Sequence, residues 1–575
     1  MNLSELIKEN AALGAQLAFE TKIELKVLAN ITINQIKPCL EYQLRLEGLN
    51  ATVNIGEYDN ILQDSTKINE NEIPIIFWEP SNIKDSFIYE IEVGEDDFVL
   101  LYVNKIKGEL NTLFNNLSEK KLVIFNKFSH ILQSYTDIKK SRYQVFVEIL
   151  NKHIEENLPR NFIYIEIDKV ISKISCQKAI DLRGFYLNKS LYTVEFLNTY
   201  SKYILPIILS LYGKSKKALI LDCDNTLWKG IIGEDGVNNI ALSDKDKWGI
   251  YFKELHFLAK KLSKAGVILG ICSKNNPQDV DEVFNFRKDS ILQDSDIVIK
   301  RVNWEDKATN LKNIAKELNI GIESIVFIDD SIFETNLIND LLPQIKTLLV
   351  PERLYEYPNF VKANTNLFFN LNVSDEDKRR TSMYKANQLR ERDLKSFESI
   401  ETYLMSLDLT IELSNKKESA LERLVQLTQK TNQFNLTTKR YSSSDLKIFY
   451  NSTDVDVFSL DVSDKYGSSG ITGLCIVRYS ESVAIIDTFL LSCRVLGRNI
   501  EKAFLSEIIS QIRNKNVESI KLTYIKTSKN SQVENFFDQN GFLMTNENQN
   551  LKEYEYNFLN NVTIIKYINV IWTQD

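Results

Sequence analysis

The stretch Ala218-Leu-Ile-Leu-Asp-Cys-Asp-Asn-Thr-Leu-Trp228 constrains the fold of this chain more than any other. An unbroken aliphatic run reads as a strand buried on both faces, as in a parallel sheet covered by helices. The run ends at Asp222 and Asp224, one residue apart, with Thr226 two positions further on. Open α/β sheets place their ligands at the carboxyl ends of the strands. Alternate strand residues share a face, and the strand ends here, so both carboxylates can converge on one site. Adjacent carboxylates repel unless a cation lies between them, which points to Mg²⁺ and phosphate chemistry.

Three further segments extend the pattern. Gly266-Val-Ile-Leu-Gly-Ile-Cys-Ser273 reads as a strand ending in a hydroxyl, Asp306-Lys307 opens a helix after Trp304, and Ser324-Ile-Val-Phe-Ile-Asp-Asp330 reads as a strand ending in an acidic pair. Each residue type has a task in phosphoryl transfer. Asp222 can attack phosphorus and form an aspartyl-phosphate. Asp224 can protonate the leaving oxygen and later activate water. Ser273 and Lys307 can hold the phosphoryl oxygens and offset developing charge, with Asn225 and Thr226 completing the phosphate-binding set. Asp329 or Asp330, with Asp222 and the backbone carbonyl of Asp224, suits octahedral Mg²⁺.

A length of 575 residues predicts three or four domains. The formal net charge of -8 argues against nonspecific nucleic-acid binding. The six cysteines include no CxxC pair, so neither a zinc site nor a disulfide framework is indicated. The N-terminus lacks the basic and apolar blocks of a signal peptide, and no apolar run is long enough to span a bilayer. The expectation is a cytoplasmic protein with neither nucleic-acid nor membrane partners.

Residues 1–212 alternate helix and strand signals, with strands expected from Ile23, Phe98, Lys121 and Phe162, and suggest a parallel α/β domain. A basic hinge, Gly213-Lys-Ser-Lys-Lys217, leads into a second α/β domain over 213–370. Residues 371–400 read as a charged helical linker, with Ser374 and Asp377 forming its N-terminal cap. Residues 401–575 form a third domain of strands and helices, one helix following Gly497.

The ordered set DxDxT, hhhS, Lys and hhhDDxxxE resembles the haloacid dehalogenase (HAD) superfamily. The interval between Asp222 and Ser273 holds one βαβ unit and a small flap, too short for a helical cap domain, so an open site is expected. Leu221 to Gly236, Thr431-Asn-Gln-Phe-Asn-Leu-Thr-Thr438, Asp464-Lys-Tyr-Gly-Ser-Ser-Gly470 and Leu491-Ser-Cys-Arg-Val-Leu-Gly-Arg498 look like the FkbH-like family. That resemblance implies a glyceryl group taken from 1,3-bisphosphoglycerate, a small phosphorylated three-carbon substrate, and loaded on an acyl carrier protein with loss of phosphate. Arg494-Val-Leu-Gly497-Arg-Asn499 also looks like the loop with which GNAT acyltransferases cradle pyrophosphate at a helix N-terminus. The implied acyl or phosphopantetheine contacts are Arg494, Gly497, Arg498, Asn432, Asn435 and Asn530. Cys493 is the candidate acyl acceptor, a thiol activated by Arg494 and a helix N-terminus. Asp464 and Gly467 are expected in the same pocket, and Trp228 is expected to pack the flap.

The implied architecture is multidomain α/β: an N-terminal SGNH-like α/β domain, a central capless HAD Rossmann-like domain, and a C-terminal GNAT-like α+β domain. The N-terminal domain lacks the chemistry of a working SGNH hydrolase. Its first strand ends Leu28-Ala-Asn-Ile-Thr32 with no GDS block, and Asp181-Leu-Arg-Gly184 has no histidine after it. Three function classes follow: a glyceryl transferase and phosphatase; a HAD phosphatase fused to a GNAT-like domain that acylates a sugar or amino sugar; and a noncatalytic scaffold that docks a carrier protein. The complete set of reactive groups disfavours the last.

Overall fold

The computed structural model describes residues 3–20, 22–131, 138–371, 383, 386, 389–390, 393–394, 396–515, 517–527, 529–558 and 565–573. The charged helix expected at 374–400, with its Ser374–Asp377 cap, lies for the most part outside the described residues. The chain divides into two compact units, Met1–Leu205 and Pro206–Asp575.

The first unit is built on β1 (Lys22–Ala29), β2 (Asn50–Ile55), β3 (Glu72–Phe77), β4 (Val123–Asn126) and β5 (Phe162–Ile165), in the order β2-β1-β3-β4-β5. All four pairings are parallel. This is a doubly wound order, with helices covering both faces of the sheet. The strand expected at Phe98–Val103 is instead part of the helix Asp96–Leu117. Val103, Ile106, Leu110, Leu113 and Leu117 are buried while Leu100 and Leu101 are exposed, a helical period that a short apolar window hides. Of the segments where a hydrolase would place its catalytic groups, Thr32 bonds the Asn188 carbonyl through its hydroxyl and Asp181 caps the helix Leu182–Asn188. Both side chains serve local structure.

In the second unit, β6 (Ala218–Leu221), β7 (Ile268–Ser273), β8 (Ile299–Val302), β9 (Ile325–Asp329) and β10 (Lys346–Leu349) form a parallel sheet ordered β10-β9-β6-β7-β8. Leu219 and Leu221 pack into one core with Phe252, Leu255 and Val280, from the helices Gly249–Lys264 and Pro277–Phe286. Ala218 and Ile220 pack into the other with Leu311, Ile314 and Ile338, from the helices Lys307–Glu317 and Ile332–Leu341. The aliphatic run of β6 is therefore buried on both faces. The basic hinge is not a free linker. The Lys216 and Lys217 backbone amides bond Leu367 and Ser324, and Lys216 Nζ donates to the Glu323 carbonyl at 2.6 Å.

The third sheet holds β11 (Thr410–Asn415), β12 (Phe434–Asn435), β13 (Val455–Asp464), β14 (Gly467–Ser480), β15 (Val483–Leu491), β16 (Ser519–Ile525), β17 (Leu543–Asn548), β18 (Leu551–Tyr556) and β19 (Asn569–Thr573). Its path is β17-β18-β16-β15-β14-β13-β11-β19, with β12 paired to β15. β15 and β16 run parallel, but they pair only from Val483↔Ser519 to Ile486↔Leu522. Beyond that point they part, and β12 with Leu436 fills the opening. Phe434 and Asn435 pair with Leu491 and Leu490, while Leu436 accepts from the Ile525 amide and donates to the Phe489 carbonyl.

His256 is buried in the second unit, its Nε2 2.9 Å from the Leu227 carbonyl that leads into the flap. A carbonyl partner requires the proton on Nε2. Burial lowers the His256 pKa to about 4, with the Leu227 bond working the other way. The unfolded chain then takes up the proton first as pH falls. Stability from this group is present above pH ~6.5 and is lost on descent to pH ~4, a total of roughly 3 kcal/mol. His256→Gln keeps a donor for Leu227 without titrating. Its unfolding free energy should fall less steeply than wild type between pH 6.5 and 4.5 in chemical denaturation; equal slopes would refute the assignment.

Candidate active site

The order β9-β6-β7 places three strand ends side by side. β6 delivers Asp222, β7 ends in Ser273, and β9 ends in Asp329 followed by Asp330. The fourth group comes from a helix. Asp306 caps Lys307–Glu317 by accepting from the Thr309 amide at 2.7 Å, which sets Lys307 in the first turn at the same edge of the sheet.

Lys307 is buried between two carboxylates. Its Nζ lies 2.5 Å from Asp329 Oδ2 and 3.1 Å from Asp222 Oδ1. Asp329 Oδ1 accepts from the Ser331 amide at 2.8 Å, so both oxygens of this fully buried side chain are engaged. Asp222 Oδ1 is different: it is buried and receives no well-directed hydrogen bond, even from the ammonium beside it. Burial pushes the Asp222 carboxyl up to about 7, with Lys307 pulling it down and Asp329 adding to the rise. Burial also opposes the charge on Lys307, but Asp222 and Asp329 hold its pKa above the ordinary value. Asp330, the exposed member of the three, is also raised, by partial desolvation and by the Asp329 carboxylate.

Asp222, Asp329 and Asp330 each offer a carboxylate oxygen within 4.8 Å of the others. An orphaned oxygen on Asp222 and three convergent carboxylates form a donor set that fits a hard divalent cation. The Asp224 carboxylate does not belong to this group. Its Oδ1 accepts from Trp228 Nε1 at 2.9 Å and the Ile232 amide at 3.0 Å, and its Oδ2 from Asn275 Nδ2 at 3.0 Å. Three donors fix the orientation of a side chain suited to proton transfer.

Two of these donors escaped the reading of the sequence. Trp228 packs as expected, but its indole also orients Asp224. Asn275, two positions after Ser273, reaches both Asp224 and Ser273 Oγ, the latter at 3.1 Å. Asn225 sits at positive φ and accepts from Lys229 Nζ at 2.9 Å, tying the flap down. Thr226 Oγ1 is buried without a partner. The mouth is open: Trp304, on the loop after β8, and Phe333, in the first turn of the helix Ile332–Leu341, are 70% and 69% exposed.

The residues expected to contact an acyl or pantetheine group are not gathered in this way. Asn435 is fully buried. It accepts from the Thr437 and Thr438 amides and donates to the Thr431 carbonyl. Asn530, also fully buried, donates to the Asn435 and Ile525 carbonyls and accepts from the Thr527 amide. Asn432 accepts from Arg440. Asn435 and Asn530 secure β12 between β15 and β16, which corrects their assignment as ligand contacts, whereas half-buried Asn432 is tied only to Arg440.

Arg498 is another correction. It is buried and donates to Asp464 Oδ2 at 3.0 Å and to the Arg494 carbonyl at 2.6 Å. Burial, then repulsion from Arg390, lowers its pKa to about 10. Arg390 forms a two-pronged bond to the same Asp464, so Asp464 lies between two guanidiniums rather than lining a pocket. Arg494 points one nitrogen at Met383 Sδ, 3.1 Å away. Cys493 is half-buried in the short turn Cys493–Val495, while the α-helix starts only at Ile500. Cys493 thus precedes the N-cap of that helix, Asn499, by six residues. Gly497 is exposed at φ +81, and a side chain added there would meet open space, so its backbone is reachable from solvent.

No protein-family model matches the chain, and no curated protein does. Among solved structures, the chain is similar to the N-terminal part of a Bacteroides fragilis protein containing a phosphatase domain, complexed with Mg. The match has 23% identity and a TM-score of 0.56, and it covers 65% of this chain and 100% of that one. Likeness at this level establishes a shared fold. The ribosomal-protein-S18-alanine N-acetyltransferase from Escherichia coli also matches, at 11% identity over 26% of this chain and 93% of its own, with a TM-score of 0.21. A score that low assigns nothing. No helix of the described residues is long and apolar enough to cross a membrane.

Removing Lys307 leaves two buried carboxylates without their shared cation. Breaking a buried ion pair from one side costs roughly 3–5 kcal/mol. Lys307→Met should lower the unfolding free energy of Pro206–Asp575 by about that amount in urea titration; an unchanged midpoint would show that the ion pair contributes no stability.

Proposed function

We propose that this chain is a Mg²⁺-dependent enzyme that removes phosphate from a three-carbon acyl donor and loads the resulting glyceryl group, as a thioester, on an acyl carrier protein. The observation that carries the phosphoryl half is the convergence of the Asp222, Asp329 and Asp330 carboxylates within 4.8 Å, with Lys307 paired to Asp222 and Asp329. The structural neighbour with a Mg-complexed phosphatase domain supports the choice of cation. Asp222, Asp329 and Asp330 would hold Mg²⁺ together with the Asp224 backbone carbonyl. When bound, it offsets charge on the phosphoryl oxygens.

Asp222 attacks phosphorus, and the bond from phosphorus to the substrate oxygen breaks. Asp224, oriented by Trp228, Ile232 and Asn275, gives that oxygen its proton. Ser273 and Lys307 hold the phosphoryl oxygens. Asp224 then takes a proton from water, whose oxygen displaces phosphate from Asp222. At the second centre the Cys493 thiolate attacks the acyl carbon of the mixed anhydride; the carbon–sulfur bond forms and phosphate leaves. The carrier thiol displaces Cys493, which recovers its proton. The FkbH-like motifs support this half, with the exposed Gly497 backbone offering amide donors to the carrier's phosphate. The N-terminal SGNH-like unit is noncatalytic in this reading.

Incubation with holo carrier protein, 1,3-bisphosphoglycerate and Mg²⁺ should give a glyceryl thioester on the carrier by intact-protein mass spectrometry. Asp222→Asn should reduce Mg²⁺-dependent phosphate release at least about a hundredfold, the scale on which a covalent catalyst's nucleophile matters. Cys493→Ala should abolish loading. Phosphate release from wild type with no carrier adduct would sink the transferase half and direct the assay to acylation of sugars or amino sugars.

A further inference from the structure

Asn275 lies in the three-residue link between β7 and the helix Pro277–Phe286. Pro277 restricts the residue before it to extended backbone, and Asn276 sits at φ -77 and ψ 131. Asn275 is thereby held from both sides, by a strand end and by a fixed helix start, and its side chain is buried. Its Nδ2 makes two bonds, to Asp224 Oδ2 at 3.0 Å and to Ser273 Oγ at 3.1 Å. A carboxylate only accepts, so the amide nitrogen and not its oxygen faces Asp224. Both N–H groups of one amide are thus committed to two side chains that would act on the same phosphoryl group: the proton donor to the leaving oxygen, and the hydroxyl that holds a second oxygen.

The acceptors filled at Asp224 decide where its proton is carried. Each carboxylate oxygen offers about two lone-pair positions. Oδ1 accepts from Trp228 Nε1 at 2.9 Å and from the Ile232 amide at 3.0 Å, which fills both. Oδ2 accepts from Asn275 and keeps one position open. The proton delivered to the leaving oxygen therefore departs from Oδ2, along the direction that Asn275 leaves free. At Ser273 the same amide takes a lone pair of Oγ, so the hydroxyl hydrogen points away from Asn275 and is available to a phosphoryl oxygen. We propose that Asn275 is a positioning residue that aligns the proton of Asp224 and the hydroxyl of Ser273 on one phosphoryl group, and that this alignment matters most when the departing oxygen is a poor leaving group. This rests on the phosphoryl half of the function proposed above. In the step concerned, a bond forms between Asp222 and phosphorus. The phosphorus–oxygen bond to the substrate breaks, its electron pair stays on the departing oxygen, and the Oδ2 proton of Asp224 passes to that oxygen. An oxygen that leaves as a stable anion needs no such proton and makes little demand on Asn275.

Two aryl phosphates separate this role from a purely structural one. 4-Nitrophenyl phosphate expels a more stable anion than phenyl phosphate does, and the open mouth beside Trp304 and Phe333 admits either ring. For the full-length enzyme with Mg²⁺, kcat/KM reports the step in which the ester bond breaks. Asn275→Ala should lower it at least about tenfold more for phenyl phosphate than for 4-nitrophenyl phosphate, part of what a proton donor contributes. In an Asp224→Asn background, which has no proton to align, Asn275→Ala should lower both esters alike. Asn275→Ala should also weaken inhibition by inorganic phosphate severalfold, through Ser273. Asn275→Leu fills the space without donors and should show the same pattern, which keeps the test open if the alanine variant does not fold. Equal losses for the two esters, a preferential loss that survives Asp224→Asn, or unchanged phosphate inhibition would overturn the assignment and leave the proposed function standing. Wild type that releases phosphate from neither ester would instead remove the phosphoryl half of that function.

Discussion

The ammonium of Lys307 between Asp222 and Asp329 is the interaction on which the central sheet and its chemistry both depend. It joins three elements distant in the sequence: the ends of β6 and β9 and the first turn of Lys307–Glu317. Full burial makes the arrangement costly in either direction. Two carboxylates this close cannot both stay ionised in a dry site without a cation, and a lone ammonium there would be equally unstable. The same helix contributes a partial positive charge from its N-terminus at the same edge. The site is therefore held under electrostatic tension by the groups it uses. Lys307 divides its charge unequally, lying 2.5 Å from Asp329 Oδ2 and 3.1 Å from Asp222 Oδ1.

The carboxylate site was legible because its logic is local. Each element needs only a buried strand or a capped helix followed by a reactive group, and the carboxyl-end rule of parallel sheets assembles them. What required the folded chain was the layer behind those groups. Nothing near Asp224 in the sequence announces that Asn275 will donate to it, because the contact is made across β6 and β7. Trp228 could be assigned to packing from its neighbours, but the aim of its indole nitrogen could not. The error at Phe98–Val103 has a different origin. Six apolar and aromatic residues in a row satisfy a strand template, and only the wider window from Asp96 to Leu117 shows the helical stripe.

The C-terminal third was harder to read because amides and guanidiniums serve ligands and backbone alike. Asn432, Asn435 and Asn530 carry groups suited to pantetheine, yet β15 and β16 diverge beyond Ile486 and Leu522, leaving their own backbone groups to be satisfied. The segment Phe434–Leu436 meets that need, and Asn435 and Asn530 hold it there. A strand as short as β12 has no sequence signature.

Arg390, Asp464 and Arg498 extend the same argument to the loop around Gly497. A carboxylate shared by two guanidiniums in a buried setting leaves net positive charge that the chain retains, and Arg498 also grips the Arg494 carbonyl. These bonds fix the loop from behind, so what it offers to solvent is the Gly497 backbone together with the half-buried Cys493 turn. An arginine chosen as a ligand contact thus becomes the support for a backbone surface. Recognition of a phosphate at such a surface depends on amide directions, which a side-chain motif does not record but which the positive φ at Gly497 and Asn499 sets. The contacts that fix this turn against the start of β9 are an amide–carbonyl bond and an ion pair with both side chains more than 40% exposed. An exposed pair contributes little holding energy, so the position of Cys493 relative to β9 depends chiefly on the Asn319 bond and on the packing around it.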